Sequence, residues 1–441
     1  MASSLKKLFS SEELMDTAIK AGFKKRKSKL NPFVFFDLMM YESSFSKLKS
    51  LNQLAVEAQS SHDIGISKQG IDKRFNNQAV NFLKLLIEKQ LSGQLTSQLD
   101  SGWLNFFNRV VIKDSTRFEL PEQYSEHLPG SGGAASKAGA CVQFEFDLKS
   151  GQIIDLSLTA ANRPDVRDSL EALEMVQSND LIIRDLGYFA FKSFLNIEKK
   201  KAFFISRLRP KTIVYELKAG ELRQMDFGAL YRRMKKYGLT RIEKDVCIGN
   251  EPKIPVRLII DLLPDEVYQQ RILKSNKTHK RKGYTSSEKF KLMSRFNLII
   301  TNVPEDILPI SAIPLIYKIR WQIELVFKIW KSVLGVHHIR NMKYTRWLCH
   351  LYFKLLLMIV NWNIIMSKRP LMYEKTGKLL SLFKCFKTLF DNTYRLRNVL
   401  RHGLQELSHF WGWIDQLLYR NHWLEKKKNK LSSEEIMHSM Y

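Results

Sequence analysis

Two aspartates follow apolar runs that predict β-strands. Asp114 ends the run that begins at Arg109, and Asp185 ends the run that begins at Leu181. Carboxylates at strand ends lie where open α/β sheets bind ligands. Two such groups close together repel each other unless a cation neutralises them, and oxygen-only ligation suits Mg²⁺ or Mn²⁺. The residue types also allow a simpler interpretation, in which each aspartate only caps a turn.

A third acid, Glu324, lies in a segment that predicts a helix with one narrow polar stripe. At 100° per residue, the polar side chains fall within about 80° of one another. They are Tyr317, Arg320, Glu324, Lys328 and Lys331. A carboxylate beside a phenol, a guanidinium and two ammonium groups suits a phosphodiester. The alternative is a surface stripe with ordinary salt bridges at four-residue spacing.

Other chemistries have weaker support in the sequence. It contains no GxxxxGK[ST] phosphate loop and no GxGxxG after a predicted strand. His337 and His338 are adjacent, but neighbouring residues of a helix point about 100° apart, which disfavours a shared metal ion. We therefore expect this pair in a turn that follows the helix of Glu324.

The predicted helix that carries Glu324 resembles a helix of the DDE transposases from bacterial insertion sequences of the IS-four group. The signature of that family is Y-(2)-R-(3)-E-(6)-K, and we call this segment the signature helix. All four letters are present at the right spacing, on Tyr317, Arg320, Glu324 and Lys331. Asp114-Ser-Thr resembles the first acidic block of that family, and the segment from Arg184 to Phe189 resembles its second. Leu186 stands where that family more often has arginine. The resemblance extends over roughly residues 105 to 360.

The resemblance implies a ribonuclease-H-like core that is interrupted by a β-rich insertion before the last acid. It also implies that Asp114, Asp185 and Glu324 bind two divalent ions, Mg²⁺ or Mn²⁺, which activate water or a DNA 3′-OH for in-line attack on phosphorus. The other signature residues of that family contact phosphates near the transposon end. Contacts with DNA are therefore expected for Tyr317, Arg320 and Lys331, and also for Arg207.

The periodicity of the sequence independently predicts a mixed sheet with helices on its faces. The expected elements are the strand Arg109–Asp114, a hairpin of Cys141–Asp147 and Ile153–Leu158, the helix Asp165–Gln177, the strand Leu181–Asp185, the helix Phe189–Lys199 and the strand Ala202–Ser206. A long helix is expected from about Ile310 to Val333, with an interruption at Pro314. The fold class is thus α/β, with helical regions at both ends.

Five segments are predicted along the chain. They are a helical N-terminal DNA-binding domain (1–100), the first part of the catalytic core (101–207), a β-rich basic insertion (208–293), the second part of the core (294–365) and a helical C-terminal region that is a candidate for dimerisation (366–441). The insertion has 20 lysines and arginines against 10 acids, so its loops suit a phosphate backbone, although an inert surface decoration is the alternative.

The N-terminal region contains a candidate helix-turn-helix. A helix at Leu51–Gln59 is followed by a polar turn, and Ser67 is suited to cap a second helix that continues over Ile71–Gln90. The polar side of that second helix carries Lys68, Gln69, Lys73 and Arg74. These residues are expected to read a major groove. The alternative is two packed helices with solvated lysines.

Composition limits the possible partners. The 441 residues include 71 lysines and arginines against 44 acids, a formal net charge of +27. This excess of positive charge indicates a polyanion as the binding partner. Four dispersed cysteines without a CxxC pair indicate a reducing cytoplasm. The longest apolar run has 12 residues, too short for a bilayer of about 30 Å, so no membrane partner is expected.

Together these features predict a cut-and-paste DNA transposase. It is expected to act as a homodimer on double-stranded DNA, cutting at terminal inverted repeats and joining the 3′-OH to target DNA. Two alternatives remain open at the level of sequence. One is a catalytically silent protein that binds DNA ends and inhibits transposition, and the other is a non-transposing nuclease of the same fold.

Overall fold

The computed structural model describes residues 9–26, 28–45, 48–94, 102–281, 283, 285–402 and 404–425. Its strands are β1 (Val110–Leu120), β2 (Ala138–Asp147), β3 (Ile153–Ala160), β4 (Leu181–Arg184), β5 (Phe203–Arg207), β6 (Val214–Lys218), β7 (Glu221–Gln224), β8 (Arg241–Ile248), β9 (Ile254–Leu262) and β10 (Phe296–Thr301). They form one mixed sheet in the order β3-β2-β1-β4-β5-β10-β9-β8-β6-β7. The predicted mixed α/β architecture is confirmed.

Helices precede, cover and follow this sheet. They are α1 (Ser11–Lys20), α2 (Pro32–Ser43), α3 (Leu51–His62), α4 (Lys68–Asp72), α5 (Asn77–Ser92), α6 (Asp165–Glu171), α7 (Phe191–Lys199), α8 (Phe227–Lys236), α9 (Asp265–Arg281), α10 (Glu288–Met293), α11 (Ala312–Ile319), α12 (Trp321–Ser332), α13 (Tyr344–Thr376), α14 (Leu382–Asp391), α15 (Thr393–His402) and α16 (Leu404–Asn421).

The strand β1 is central to the first half of the sheet. It pairs with β2 in antiparallel register from residue 111 to residue 120, but with β4 in parallel register only over Val110–Lys113. β4 is parallel to β5, and β2 and β3 form the predicted hairpin. Because β4 ends at Arg184, residues 114–120 of β1 have a strand partner on only one side within the described sheet.

The side chains of β1 alternate between the two faces of the sheet. Ile112 belongs to a hydrophobic cluster that also contains α11, α12 and α13, whereas Val111 belongs to a second cluster on the opposite face. The same alternation places Lys113 on the face of Val111 and Asp114 on the face of Ile112, towards α12. The register of one strand therefore decides that Asp114 faces the signature helix.

The segment expected as an insertion extends the same sheet. β9 pairs with β8 over residues 254–261 and with β10 over residues 257–262, and β10 in turn pairs with β5. The helices α8, α9 and α10 lie between and after these strands, so the segment is not built of strands alone. The side chains of residues 279–281 and the whole of Lys282, which belong to one of its basic runs, lie outside the described residues.

The N-terminal helices begin at polar residues that cap them. In each of α1 to α5, the side chain before the helix accepts a hydrogen bond from a backbone N–H three residues later. These caps are Ser10, Asn31, Ser50, Ser67 and Asn76. The cap predicted at Ser67 is confirmed. The prediction of one helix over Ile71–Gln90 is wrong, because Asn76 caps a new helix and leaves α4 only five residues long.

The signature segment also forms two helices where one was predicted. Pro314 does not interrupt it, because this residue lies in the first turn of α11, where a missing N–H costs no helical hydrogen bond. The break falls at Arg320, which ends α11 and precedes α12 while keeping right-handed helical angles. Tyr317 is thus on one helix and Glu324 on the next, with Arg320 at the junction.

The helix α13 is long and apolar enough to cross a bilayer, unlike the 12-residue run identified in the sequence. Its position in the fold gives another explanation for its composition, since 83% of its most apolar stretch is buried. It packs on α5, and the indole of Trp362 donates to the carbonyl oxygen of Gly151 beside the β2–β3 hairpin. The helix is the core element that joins the N-terminal helices to the sheet.

Candidate active site

Asp114 lies in the middle of β1 and not at the end of a strand, as the sequence had predicted. The strand continues to Leu120 because residues 115–120 remain paired with β2. Oδ1 of Asp114 accepts a hydrogen bond from the backbone N–H of Ser115 at 2.8 Å. Its side chain is 21% exposed, so it is largely removed from water but still accessible.

Asp185 follows β4 directly and begins a short turn of 3₁₀ helix, Leu186–Tyr188. Lys113 and Arg184 are partners in the parallel register, so Asp114 and Asp185 are the next residues along two neighbouring strands. The hydroxyl of Tyr317 donates to Oδ1 of Asp185 at 3.2 Å. The second predicted acid is therefore tied to α11.

Arg320 connects all three acids. Its Nη1 donates to Oδ2 of Asp114 at 3.2 Å, and its Nη2 donates to Oε1 of Glu324 at 2.8 Å. Its Nε lies 3.9 Å from Oδ1 of Asp185. One guanidinium, 9% exposed, thus brings together three carboxylates that are far apart in sequence. This arrangement places the predicted catalytic residues in one cluster.

Two of the three acids, Asp114 and Glu324, line an open cleft of about 770 Å³. The side chains of Lys328 and Lys331, on α12, line it as well. Lys331, which was predicted to contact DNA, therefore lies in the same cleft as two of the acids. The cleft is open to solvent, as a site for a polymeric substrate must be.

Burial and charge shift the titration of this site. Burial raises the pKa of Asp114 to about 6, a rise that the nearby guanidinium of Arg320 only partly offsets. Burial, with the negative charge of Asp185, raises the pKa of Tyr317 to about 12. Burial disfavours the charged form of Arg320, but attraction to Asp185 and its other partners raises the pKa of this arginine above its usual value. At neutral pH the phenol is protonated and donates a hydrogen bond.

The donor set of the site suits a hard divalent cation, because it offers only carboxylate oxygens. Among the described residues, however, no three His, Cys, Asp or Glu side chains are grouped closely enough to hold an ion as they stand. The guanidinium of Arg320 lies between the acids and supplies the positive charge that three adjacent carboxylates require.

Three of the other predicted DNA contacts have clear surroundings in the fold. Arg207 ends β5, and its guanidinium lies 5.8 Å from the ring centroid of Tyr317, so it borders the acidic cluster. The side chains of Lys68 and Lys73 are exposed on and just after α4. Lysines at these positions are accessible to a phosphate backbone.

Arg74 differs from its neighbours. Its guanidinium lies 4.0 Å from the ring centroid of Phe23, and its Nε and Nη2 are buried without a hydrogen-bond partner among the described residues. Burial lowers the pKa of this arginine. The side chain packs into the N-terminal helical core, which the charge pattern of the sequence did not indicate.

A buried ionic network behind the acids was not anticipated. Lys113 and Arg184, the residues that precede Asp114 and Asp185, both contact Glu145 of β2, at 3.4 Å and 3.3 Å. Lys113 also donates to Asp155 of β3 at 2.7 Å. The signal in the sequence was the basic residue that precedes each aspartate. Side chains alternate along a strand, so this basic residue lies on the face of the sheet opposite to the aspartate.

The fold and the cluster of acids define an α/β protein of the ribonuclease-H-like class. The sequence matches the family described as Transposase DDE domain over residues 105–362, more than half of the chain. The chain belongs to this family, and it is a DNA transposase.

The similarity to individual transposases extends beyond this domain. The chain is 32% identical over 423 residues to the transposase for insertion sequence element IS231B of Bacillus thuringiensis subsp. berliner, covering 92% of this chain and 88% of that relative. It is 28% identical over 406 residues to the transposase for insertion sequence element IS1151 of Clostridium perfringens, covering 89% and 86%. The helical regions on both sides of the domain are thus included in the similarity.

Proposed function

We propose that this transposase cuts double-stranded DNA at the terminal inverted repeats of its own element and then joins the freed 3′-OH to target DNA. The observation that carries the proposal is the contact of one guanidinium, that of Arg320, with Asp114, Asp185 and Glu324. Such a cluster of acids around a cation, in an open cleft of a basic protein, suits a phosphodiester whose charge is compensated during reaction.

Asp114, Asp185 and Glu324 are the residues that would hold two divalent ions, Mg²⁺ or Mn²⁺. When bound, such ions activate the attacking oxygen and stabilise the leaving oxygen. In the first step a water oxygen forms a bond to phosphorus and the P–O3′ bond breaks, which leaves a 3′-OH and a 5′-phosphate. In the second step that 3′-OH forms a bond to a target phosphorus, and the target P–O3′ bond breaks.

The other predicted residues hold and orient DNA in this proposal. Tyr317, Arg320, Lys331 and Arg207 bind phosphates beside the cut, where the phenol and the cations lie at or next to the acidic cluster. Lys68 and Lys73, exposed at α4, add contacts farther from the site. Arg74 is not part of this set, since its guanidinium is packed against Phe23.

The five-segment division of the chain stays a prediction, as does a homodimer that pairs two DNA ends. The C-terminal helices support a role in dimerisation because they expose large apolar side chains, among them Leu371, Tyr394 and Tyr419. Residues 426–441 of that segment lie outside the described residues. Action in the cytoplasm, at the nucleoid when bound to DNA, follows from a DNA substrate in a bacterial element.

Cleavage of labelled DNA that carries the terminal repeat tests the proposal. With Mg²⁺, the protein is expected to release a 3′-OH end, and Asp114→Asn and Glu324→Gln are each expected to lower the cleavage rate at least 100-fold. The matched control is Asp306→Asn, since Asp306 is an exposed acid outside the cleft. Equal cleavage by the Asp114→Asn variant and the unaltered protein would refute the assignment of the acids.

A second assay separates transposition from plain nuclease activity. Precut terminal-repeat DNA is incubated with a supercoiled plasmid and Mg²⁺, and joined products are separated by size. Strand-transfer products are expected from the unaltered protein. Cleavage without any joining would indicate a nuclease, and DNA-end binding without cleavage in Mg²⁺ or Mn²⁺ would indicate a silent end-binding protein.

A further inference from the structure

A short turn after α12 also lines the cleft. Gly335 adopts a φ of +58°, and the chain reverses direction there. The N–H of His338 donates to the carbonyl oxygen of Gly335 at 3.1 Å and closes the turn. His337 and His338 follow in this turn and line the cleft together with Lys328 and Lys331. Their ring centroids are 4.1 Å apart. The turn location predicted for the pair is confirmed.

A half-buried lysine on α13 fixes this turn. The Nζ of Lys354, on α13, donates to the carbonyl oxygen of Gly335 at 2.9 Å. Burial lowers the pKa of Lys354 to about 8. This partly buried lysine, bonded to the turn, holds the two imidazoles in a defined position relative to α12.

The charge around the two imidazoles is one-sided. Burial lowers the pKa of His337, and His338, Lys331 and Lys354 lower it further. Neither histidine forms an ion pair with an acid within the described part of the chain, and Nδ1 of His337 is buried without a hydrogen-bond partner there. Asp114 and Glu324 line the same cleft. Glu42 of α2, which also pairs with His350, attracts Lys354, but no acid is among the groups that shift the pKa of His337. The imidazole pair, flanked by Lys331 and Lys354, is therefore suited to bind an anion.

We propose that His337 and His338 bind a backbone phosphate of the DNA strand that lies in the cleft, away from the cut. This inference rests on the proposed function, because it assumes that DNA occupies the cleft. From Glu324 to Lys331 the helix rises about 10 Å at 1.5 Å per residue. The histidine turn follows Lys331, and one DNA strand advances about 3.4 Å per nucleotide, so the phosphate is expected at least about three nucleotides from the scissile one.

The same geometry disfavours a metal ion at the histidine pair. Lys331 and Lys354 are close enough to lower the pKa of His337, and they would repel a divalent cation in the same way. No third His, Cys, Asp or Glu completes a metal-binding group there, as far as the described residues extend. A phosphate gains from each of these cations, whereas a metal ion would be destabilised by them.

Binding of a terminal-repeat duplex without divalent ions tests the proposal. The double variant His337→Gln/His338→Gln is compared with the unaltered protein at pH 6 and pH 8, across a series of salt concentrations. Each lost phosphate contact lowers the slope of log affinity against log salt by about 0.9. At pH 6 we expect a slope lower by about 0.9, as for the loss of one phosphate contact, and at least a fivefold loss of affinity, with a smaller loss at pH 8.

The matched control is His409→Gln, because His409 is exposed on α16 and does not line the cleft. His338→Gln alone serves as a second variant, since His338 is exposed and its replacement does not disturb the core. Equal slopes at pH 6 for the unaltered protein and both cleft variants would overturn the proposal.

Neutral methylphosphonate linkages locate the contact. One neutral linkage is placed at a time along the strand. A linkage at least about three nucleotides from the cut is expected to weaken DNA binding by the unaltered protein but not by the double variant. The same pattern of weakening in both proteins would overturn the assignment. Because this assay measures binding without divalent ions, a protein that never cuts DNA but responds in this way refutes only the proposed function. A protein that cuts but does not respond refutes only the histidine contact.

Discussion

Arg320 and Asp114 are 206 positions apart in the sequence, and Nη1 of the arginine lies 3.2 Å from Oδ2 of the aspartate. The same guanidinium contacts Glu324 one helical turn away. The guanidinium therefore occupies the space between acids that are predicted to hold metal ions. Binding of an ion by these carboxylates requires Arg320 to give up some of its contacts, and the freed guanidinium then becomes available to a DNA phosphate.

This relationship predicts that replacing Arg320 destabilises the metal-free protein and increases the stabilisation that Mg²⁺ provides. Arg320→Met is expected to lower the free energy of unfolding of the metal-free protein by about 1–3 kcal/mol, because it leaves three neighbouring carboxylates without their common cation. Millimolar Mg²⁺ is expected to raise the melting temperature of this variant more than that of the unaltered protein. Melting curves in EDTA and in Mg²⁺ measure both effects.

The control for Arg320 is Arg233→Met, since Arg233 is exposed on α8. Its melting temperature is expected to match that of the unaltered protein in both buffers. A variant at Arg320 that melts like this control in EDTA would contradict the role assigned to the guanidinium.

The sequence predicted much of this site, but not the contacts that assemble it. Spacing along a helix predicts that Arg320 and Glu324 are close, because residues four apart share a face. The contact with Asp114 depends on the register of β1 and on the packing of α12 over it, which local pattern does not specify. The strand boundary after Asp114 was missed for the same reason, since pairing with β2 extends β1 through polar residues.

The N-terminal helices illustrate a second limit. Lys73 and Arg74 are neighbours with the same charge, and the sequence assigned both to a DNA-reading surface. In the fold Lys73 is exposed, whereas the guanidinium of Arg74 is packed against Phe23. Which side chain is buried depends on the helix that lies opposite, and composition gives no information about that helix.

The exposed lysines, Lys68 and Lys73, and the packed Arg74 are expected to give different phenotypes when replaced. Lys68→Ala/Lys73→Ala is expected to leave the melting temperature unchanged and to lower the slope of log DNA affinity against log salt by about 1 to 2, as for one or two phosphates. Arg74→Ala is expected to lower the free energy of unfolding by about 1–3 kcal/mol, because it removes a buried group packed on Phe23. Thermal melting and salt-dependent binding distinguish the two. A variant at Arg74 that melts normally but loses DNA affinity would contradict this division.

The buried network behind the acids predicts a stability defect that also reaches catalysis. Glu145 is only 2% exposed, and it contacts both Lys113 and Arg184. Glu145→Gln leaves two buried cations with one fewer acid and is expected to cost about 2–4 kcal/mol in unfolding free energy. Because these cations precede Asp114 and Asp185, cleavage by the folded variant is expected to fall as well.

The control is Glu119→Gln, since Glu119 is an exposed acid on the same sheet, in β1. Denaturant unfolding and cleavage are measured on both variants at a temperature where each is folded. Full cleavage by a destabilised Glu145→Gln variant would show that the network supports the fold but does not position the acids.

The raised pKa of Asp114 makes the stability of the metal-free protein depend on pH. Its ordinary pKa is 3.8 and its pKa in the fold is about 6, so the folded state holds the proton more tightly than the unfolded state. The stability contributed by protonated Asp114 is therefore complete below pH 4 and is lost as the pH rises through 6. At 1.36 kcal/mol per pKa unit the loss is on the order of 2–3 kcal/mol.

Asp114→Asn removes this titration, so in EDTA the variant is expected to be more stable than the unaltered protein above pH 7 and nearly equal to it at pH 4. Mg²⁺ is expected to reverse the order at pH 8, because only the unaltered protein keeps all three carboxylates for the ions to stabilise. Denaturant unfolding between pH 4 and pH 8 in both buffers measures the difference, with Asp306→Asn as the exposed control. A variant that is less stable than the unaltered protein at pH 8 in EDTA would mean that the charge of Asp114 is held favourably by Arg320, and that the burial of this carboxylate costs less than its attraction to the guanidinium.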